Sequence, residues 1–190
     1  MSFTEQVKNE LARIPRDEKS CRGAELLALL RMSASFITGA RGKWGLEFST
    51  GNSAVARRVL VYLKKDFGFT PSAMVRQGRR LRKKNVYTLM VQPSEEGLTF
   101  LETMGLSPMA GVENDKFLSG AEEKRAYLAG AFLGGGSVSR PQSDYHLEMV
   151  TQSLRFAEEI IKTMGFFKMN ARMTDRKNDY IVYIKDGDEV

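Results

Sequence analysis

Hydrophobic and polar positions follow one another in a pattern that occurs twice along the chain, in the same order each time. Residues 24–32 and 125–133 are rich in Ala and Leu and free of Pro, which predicts a helix opening each unit. Small residues end both helices, and strand-like runs follow at 36–41 and 44–50 in the first unit and at 137–140 and 145–151 in the second. Leu46, Glu47 and Phe48 fall opposite Leu147, Glu148 and Met149. Alternation with period two then buries the apolar members on one sheet face and leaves Glu47 and Glu148 on the open one. A second helix follows in each unit, marked by Val55, Val59, Leu60 and Leu63 and by Leu154, Ala157, Ile160, Ile161 and Met164, the later helix being about one turn shorter. Asn52 and Ser153 suit N-caps, and Gly68 and Gly165 suit left-handed C-terminal caps. Each unit closes on another hairpin, 70–76 with 86–92 and 167–174 with 180–185, whose turn is basic.

Flanking signals set the organisation. Phe3, Val7 and Leu11 mark an amphipathic leading helix closed by Pro15, and Ser94 starts a helix that runs to Met104 before Gly105 and Pro108 break the chain. The expected division is a lead-in at 1–21, a first repeat at 22–105, a linker at 106–123 and a second repeat at 124–190. The second unit stops at 188–190, where the helix matching 94–104 should begin, which predicts a longer native protein.

The run Leu128-Ala129-Gly130-Ala131-Phe132-Leu133-Gly134-Gly135-Gly136 resembles the LAGLIDADG motif of homing endonucleases, and it stands in the opening helix of a duplicated helix, hairpin, helix, hairpin unit, as that family requires. Across the chain, Ser2-Phe3-Thr4, Lys8-Asn9-Glu10-Leu11, residues 22–32 and residues 81–87 resemble the N-terminal region of the WhiA family of Gram-positive regulators of sporulation and cell division. The resemblance implies an α+β, duplicated LAGLIDADG homing-endonuclease-like fold, in which two pseudo-repeats each carry an antiparallel sheet and the opening helices pack together. It also implies a C-terminal helix-turn-helix domain beyond these residues. Spacing points to the same packing: Ala126, Gly130 and Gly134, with Ala129 beside them, and Ala24 and Ala28 on the other helix let two backbones approach closely. With Leu27-Ala28 aligned to Leu128-Ala129, Leu29 falls opposite Gly130 and departs from the small-residue pattern.

An active member of the endonuclease family holds divalent metal with a carboxylate at the foot of each opening helix. The acidic positions of the motif fall here at Leu133 and Gly135, and in the first unit at Met32 and Ala34, none of which binds a hard cation through its side chain. The expectation is a chain without nuclease activity, metal or cofactor. Gly134-Gly135-Gly136-Ser137 follows a helix instead of preceding one, so it reads as a terminator and not a phosphate loop. His146 with Ser143 and Asp144 reads as surface polarity because neighbours on a turn and strand rarely converge on one atom. Tyr62, Phe67 and Phe69 read as core, and Trp44 as the one aromatic residue open to stacking on bases.

Composition narrows the partners. The 190 residues are 42% hydrophobic and 27% charged with a net charge of +6, no apolar run approaches the roughly 18 residues of a membrane span, and Cys21 is the single cysteine, which suits a reducing cytoplasm. Positive charge concentrates in the hairpin turns: Arg76, Arg79, Arg80, Arg82, Lys83 and Lys84 in the first unit, Arg172, Arg176 and Lys177 in the second. Duplicated charge flanking one groove suits the phosphates of double-stranded DNA, which would place the protein with the nucleoid, alongside regulatory partners such as a sigma factor or RNA polymerase. Glu47 and Glu148 on the open face count against strong DNA binding. The competing expectations are a protein-interaction scaffold or RNA-binding maturase-like module, and a metal-dependent endonuclease.

Overall fold

A computed structural model of the chain describes residues 1–78, 84–106, 115–140, 142, 145–185, 187 and 189–190. Two four-stranded antiparallel sheets, ordered β1-β2-β4-β3 and β5-β6-β8-β7, follow one path through the chain twice. The first repeat contains α2 (Lys19–Ser33), β1 (Ala34–Thr38), β2 (Trp44–Thr50), α3 (Ser53–Phe67), β3 (Ser72–Arg76), β4 (Val86–Ser94) and α4 (Glu95–Thr103). The second contains α5 (Ala121–Gly135), β5 (Gly136–Val138), β6 (Leu147–Thr151), α6 (Leu154–Phe166), β7 (Arg172–Arg176) and β8 (Asp179–Ile184), and α1 (Phe3–Leu11) precedes both.

The opening helices α2 and α5 pack on each other, with residues 21–30 of α2 all buried and Ala126, Tyr127 and residues 130–133 of α5 buried with them. Three ionisable residues on or beside this buried helix therefore need partners. Glu25, fully buried, accepts from Arg16 and from Arg58 of α3, whose Nη1 also donates to the carbonyls of Ala12 and Ile14 at 2.9 and 2.7 Å. Arg22 makes a bidentate pair with Asp66 at 2.8 and 2.9 Å and donates to the carbonyls of Arg16 and Asp17. Arg31 reaches the second repeat, donating to the hydroxyl of Tyr127 on α5 at 2.7 Å and pairing with Glu159 on α6.

Local signals account for the ends of most elements. Ser2 and Glu5 form a capping box on α1; Asn52 caps α3 by accepting from the N–H groups of Ala54 and Val55; Ser153 caps α6 and Ser94 caps α4. Gly68 closes α3 at φ +69°. Gly165 does not play that part: α6 continues through it to Phe166, two residues short of α3 in length and not a full turn, and the left-handed residue is Lys168. The β7–β8 turn places Lys177 and Asn178 at φ 52° and 78°, the two positive values that a tight hairpin matching strand twist demands.

Candidate nucleic-acid interface

The strand pairings fix which side chains share each open sheet face. In the first sheet Ser35, Glu47, Met90 and Ser72 form one row across four strands; in the second the same row reads Ser137, Glu148, Tyr183 and Arg172. The first two positions of the row are therefore matched, while the last two change from apolar and neutral to aromatic and cationic. Glu148 Oε2 accepts from His146 Nε2 at 3.0 Å, the imidazole stacks on Tyr183 with centroids 6.0 Å apart, and Lys185 Nζ lies 5.5 Å from the centre of the Tyr183 ring. Arg172, Tyr183 and Lys185 line an open depression of about 470 Å³ together with Asn170, Ala171 and Glu189. The first face offers Met74 and Val86 to solvent, with Arg76 as the exposed cation at the end of β3.

The sequence-derived basic residues separate into groups. Arg172 and Arg176 are exposed on β7 and Lys177 is exposed in the turn after it. Lys84 is already engaged: it lies 2.8 Å from Glu5 of α1, and together with the backbone of Ser2 it pushes the Glu5 carboxyl down to about 2. Arg79, Arg80, Arg82 and Lys83 lie outside the described residues. Sequence reasoning took His146 only as an exposed polar residue and missed Tyr183 and Lys185; the signal available was the period-two spacing of 181, 183 and 185 beside the alternation already read in β6. Trp44 is half-buried against the core, and Ser143 and Asp144 lie outside the described residues.

The foot of the opening helices is closed. A β-carbon on Gly130 would lie 2.3 Å from the Glu25 carbonyl oxygen and 3.0 Å from Ala28 Cβ, and one on Gly134 would lie 2.5 Å from Met32 Cβ, so two glycines allow the backbones of α2 and α5 to touch. Ala24 and Ala126 are fully buried in the same region, and Ala129 is half-buried on α5. The helix ends correct the sequence register: Ala34 N–H closes α2 on Leu30 and Gly136 N–H closes α5 on Phe132, so Ala34 corresponds to Gly136 and Ala28, not Leu29, to Gly130. Counted from the matched pair Ser35 and Glu47 against Ser137 and Glu148, the first hairpin holds one residue more than the second, which restores the alignment of Glu47 with Glu148. The motif's acidic positions in the first repeat are consequently Arg31 and Ser33, in place of Met32 and Ala34. Arg31 is paired with Glu159, and Ser33 Oγ donates to the Gly134 carbonyl at 3.0 Å. A β-carbon on Gly135 would meet the Val150 carbonyl at 2.9 Å and Met32 Sδ at 3.0 Å. Arg31, Ser33, Leu133 and Gly135 do not suit a hard divalent cation, which needs several oxygen ligands. Among the described residues no group of three or more His, Cys, Asp or Glu side chains could hold a metal ion, and no helix is long and apolar enough to cross a membrane.

The WhiA N-terminal LAGLIDADG-like domain matches residues 19–107, and the WhiA LAGLIDADG-like domain matches residues 124–190. The "Probable cell division protein WhiA" of Desulforamulus reducens is 39% identical over 197 residues, covering 100% of this chain and 61% of its own length. The protein so named in Clostridium botulinum is 32% identical over 203 residues, with coverages of 100% and 62%. This chain thus spans 61% to 62% of the length of these relatives. The crystal structure of full-length DUF199/WhiA from Thermatoga maritima matches with a TM-score of 0.75 at 24% identity, covering 100% of this chain and 59% of that one. The homing endonuclease I-DmoI in complex with DNA and Mn matches with a TM-score of 0.60 at 12% identity, with coverages of 90% and 93%. The shared architecture is the α+β LAGLIDADG homing-endonuclease-like fold in two repeats.

Proposed function

The chain belongs to the WhiA family, and from that premise we propose that it is the scaffold portion of a DNA-binding transcription regulator of bacterial sporulation and cell division. The scaffold holds duplex DNA and does not cut it. The observation that carries this reading is the pairing of a foot filled by Met32, with no carboxylate at Arg31, Ser33, Leu133 or Gly135, and a second sheet face that keeps Arg172, Tyr183 and Lys185 exposed or half-exposed toward one side. Cleavage of a phosphodiester needs charge placed where charge develops on the leaving oxygen; phosphate binding needs only cations within reach. Arg76, Arg79, Arg80, Arg82, Lys83, Lys84, Arg172, Arg176 and Lys177 are the proposed phosphate contacts, with those of the second hairpin leading because Lys84 is held by Glu5. In this reading the protein works in the cytoplasm on the nucleoid, and a sigma factor or RNA polymerase is the class of further partner.

Incubating the protein with plasmid and oligonucleotide duplexes in magnesium or manganese tests it. Retention of duplex DNA without nicking is the expected result. Nicking that disappears when one of the protein's own acids is replaced would return the metal-dependent endonuclease. Preference for structured RNA would favour a maturase-like module, and absence of binding to either a protein-interaction scaffold.

A further inference from the structure

From opening helix to closing hairpin the two repeats match element for element, but α1 docks on one side only. It lies in a groove built from both repeats: α3 of the first, α5 and β5 of the second. Thr4 Oγ1 donates to the Val138 carbonyl at 3.1 Å and accepts from the Val138 N–H at 3.0 Å, so one hydroxyl satisfies both outward-facing backbone groups of an edge strand. Asn9 Oδ1 accepts from the Asn52 amide at 3.0 Å, Lys8 lies over the Phe132 ring, and Glu5 pairs with Lys84.

Exchanging the repeats converts that groove into another one, built from α6 of the second repeat with α2 and β1 of the first. It is a depression of about 160 Å³ lined by Leu30, Ala34, Phe36, Leu106, Phe156 and Glu159, among others. The correspondence holds residue by residue. Leu30 stands where Phe132 does, since each accepts the N–H that closes its helix. Phe36 stands where Val138 does, one residue beyond the Ser35 and Ser137 that pair with Glu47 and Glu148. Ser153 caps α6 as Asn52 caps α3, which sets Phe156 against Val55 and Glu159 against Arg58. Tyr87 and Tyr180 pair with Thr50 and Thr151, and the lysine three residues before each is Lys84 in one case and Lys177 in the other. Among the described residues no helix occupies this second groove.

We propose that the second groove docks an amphipathic helix of a partner protein, its first turn carrying a hydroxyl that bonds the Phe36 backbone and, one residue later, a carboxylate that pairs with Lys177. The α1 groove supplies the chemistry of the occupant: Thr4 and Glu5 play those parts there, and an exposed, uncommitted position in the turn gives Lys177 the role that Lys84 has already taken up. Apolar side chains at helical spacing would fill the space over Leu30 and Phe156. The chain's own α1 does not fill it, because the carbonyls of Ala12 and Ile14 just after that helix are held by Arg58, whereas the corresponding residue here is Glu159, already paired with Arg31.

A synthetic peptide of residues 1–11, which keeps Thr4 and Glu5 and ends before the carbonyls that Arg58 holds, is labelled at its C-terminus, titrated into the whole chain and followed by fluorescence anisotropy. Saturable binding is expected. Glu5→Lys in the peptide should weaken it by roughly tenfold, and Lys177→Glu in the protein should restore the Glu5→Lys peptide while weakening the original one. Lys84→Glu in the protein should leave binding of the original peptide unchanged. Absence of saturable binding overturns the proposal. So does binding that responds to Lys84 and not to Lys177, since the peptide would then be exchanging with α1 in its own groove.

Discussion

The two repeats share a path but divide the physical work between them. The first buries its charges: Glu25 with Arg16 and Arg58, and Arg22 with Asp66, tie α2, α3 and the segment after α1 into one body. The second has no such network at the equivalent positions; Tyr127 and Phe156 meet edge to face, and Glu159 reaches out to Arg31 of the first repeat. On the open faces the contrast reverses, with the first sheet nearly neutral and the second bearing Arg172, Tyr183 and Lys185 beside Glu148. A duplicated fold thus needs only one repeat to be anchored by buried ion pairs, and its partner is left free to vary the surface it presents.

The largest test of that contrast is the loss of one carboxylate on each side. Glu25→Ala leaves the Arg58 guanidinium buried without its acid and should cost about 3 to 5 kcal/mol in chemical denaturation. Glu159→Ala, whose side chain is 21% exposed and whose partner Arg31 keeps the Tyr127 hydroxyl, should cost only about 1 kcal/mol. Equal shifts in midpoint would erase the difference between the repeats. Gly130→Leu attacks what the repeats share; its side chain would run into the Glu25 carbonyl, so about 3 kcal/mol is expected, and an unchanged midpoint would mean that α2 and α5 can part without loss.

Much of this was legible in the chain and some was not, for identifiable reasons. Alternation exposed the inward faces of β2 and β6, because Leu46, Phe48 and Met149 repeat with period two and are buried accordingly. The repeat register failed by one residue in the opening helix, because the Leu-Ala pairs at 27–28 and 128–129 are an attractive but false match, and the compensating extra residue sits in a turn where spacing carries no signal. Glu25 and Arg58 are 33 residues apart on two different helices, and nothing local distinguishes them from surface charges. Gly165 read as a cap because glycine near a helix end usually is one; two phenylalanines after it carry the helix on and move the turn to Lys168. The open cation and aromatic cluster of the second face was missed because it is assembled from three strands and appears only when they are paired.

Salt dependence sharpens the comparison of the two faces. Replacing both Arg172 and Arg176 with Ala should reduce the slope of log affinity for duplex DNA against log salt by about 1.8, or about 0.9 for each, whereas Arg76→Ala on the weaker face should change it by well under about 0.9. Equal effects per arginine would show that the first face binds as well as the second. The smallest expected effects have opposite signs at the matched helix ends. Gly68→Ala places a β-carbon at φ +69° and should destabilise by about 1 kcal/mol, while Gly165→Ala, helical and with open space around it, should stabilise by about 0.5 to 1 kcal/mol. Thermal melts of the two single variants, shifted in the same direction, would count against the different endings of α3 and α6.

The contact between Thr4 and Val138 also has a bearing on the order in which the protein is made. The two residues are 134 positions apart, so the Thr4 hydroxyl of α1 has no backbone partner on β5 until the second repeat has been synthesised that far. Domains emerging from the N-terminus ordinarily begin to fold before the rest of the chain appears. Until β5 appears, α1 is held near its groove by its contacts with α3, by Asn52 and by the Glu5–Lys84 pair, all made earlier in the chain, and β5 closes the other side of the groove afterwards.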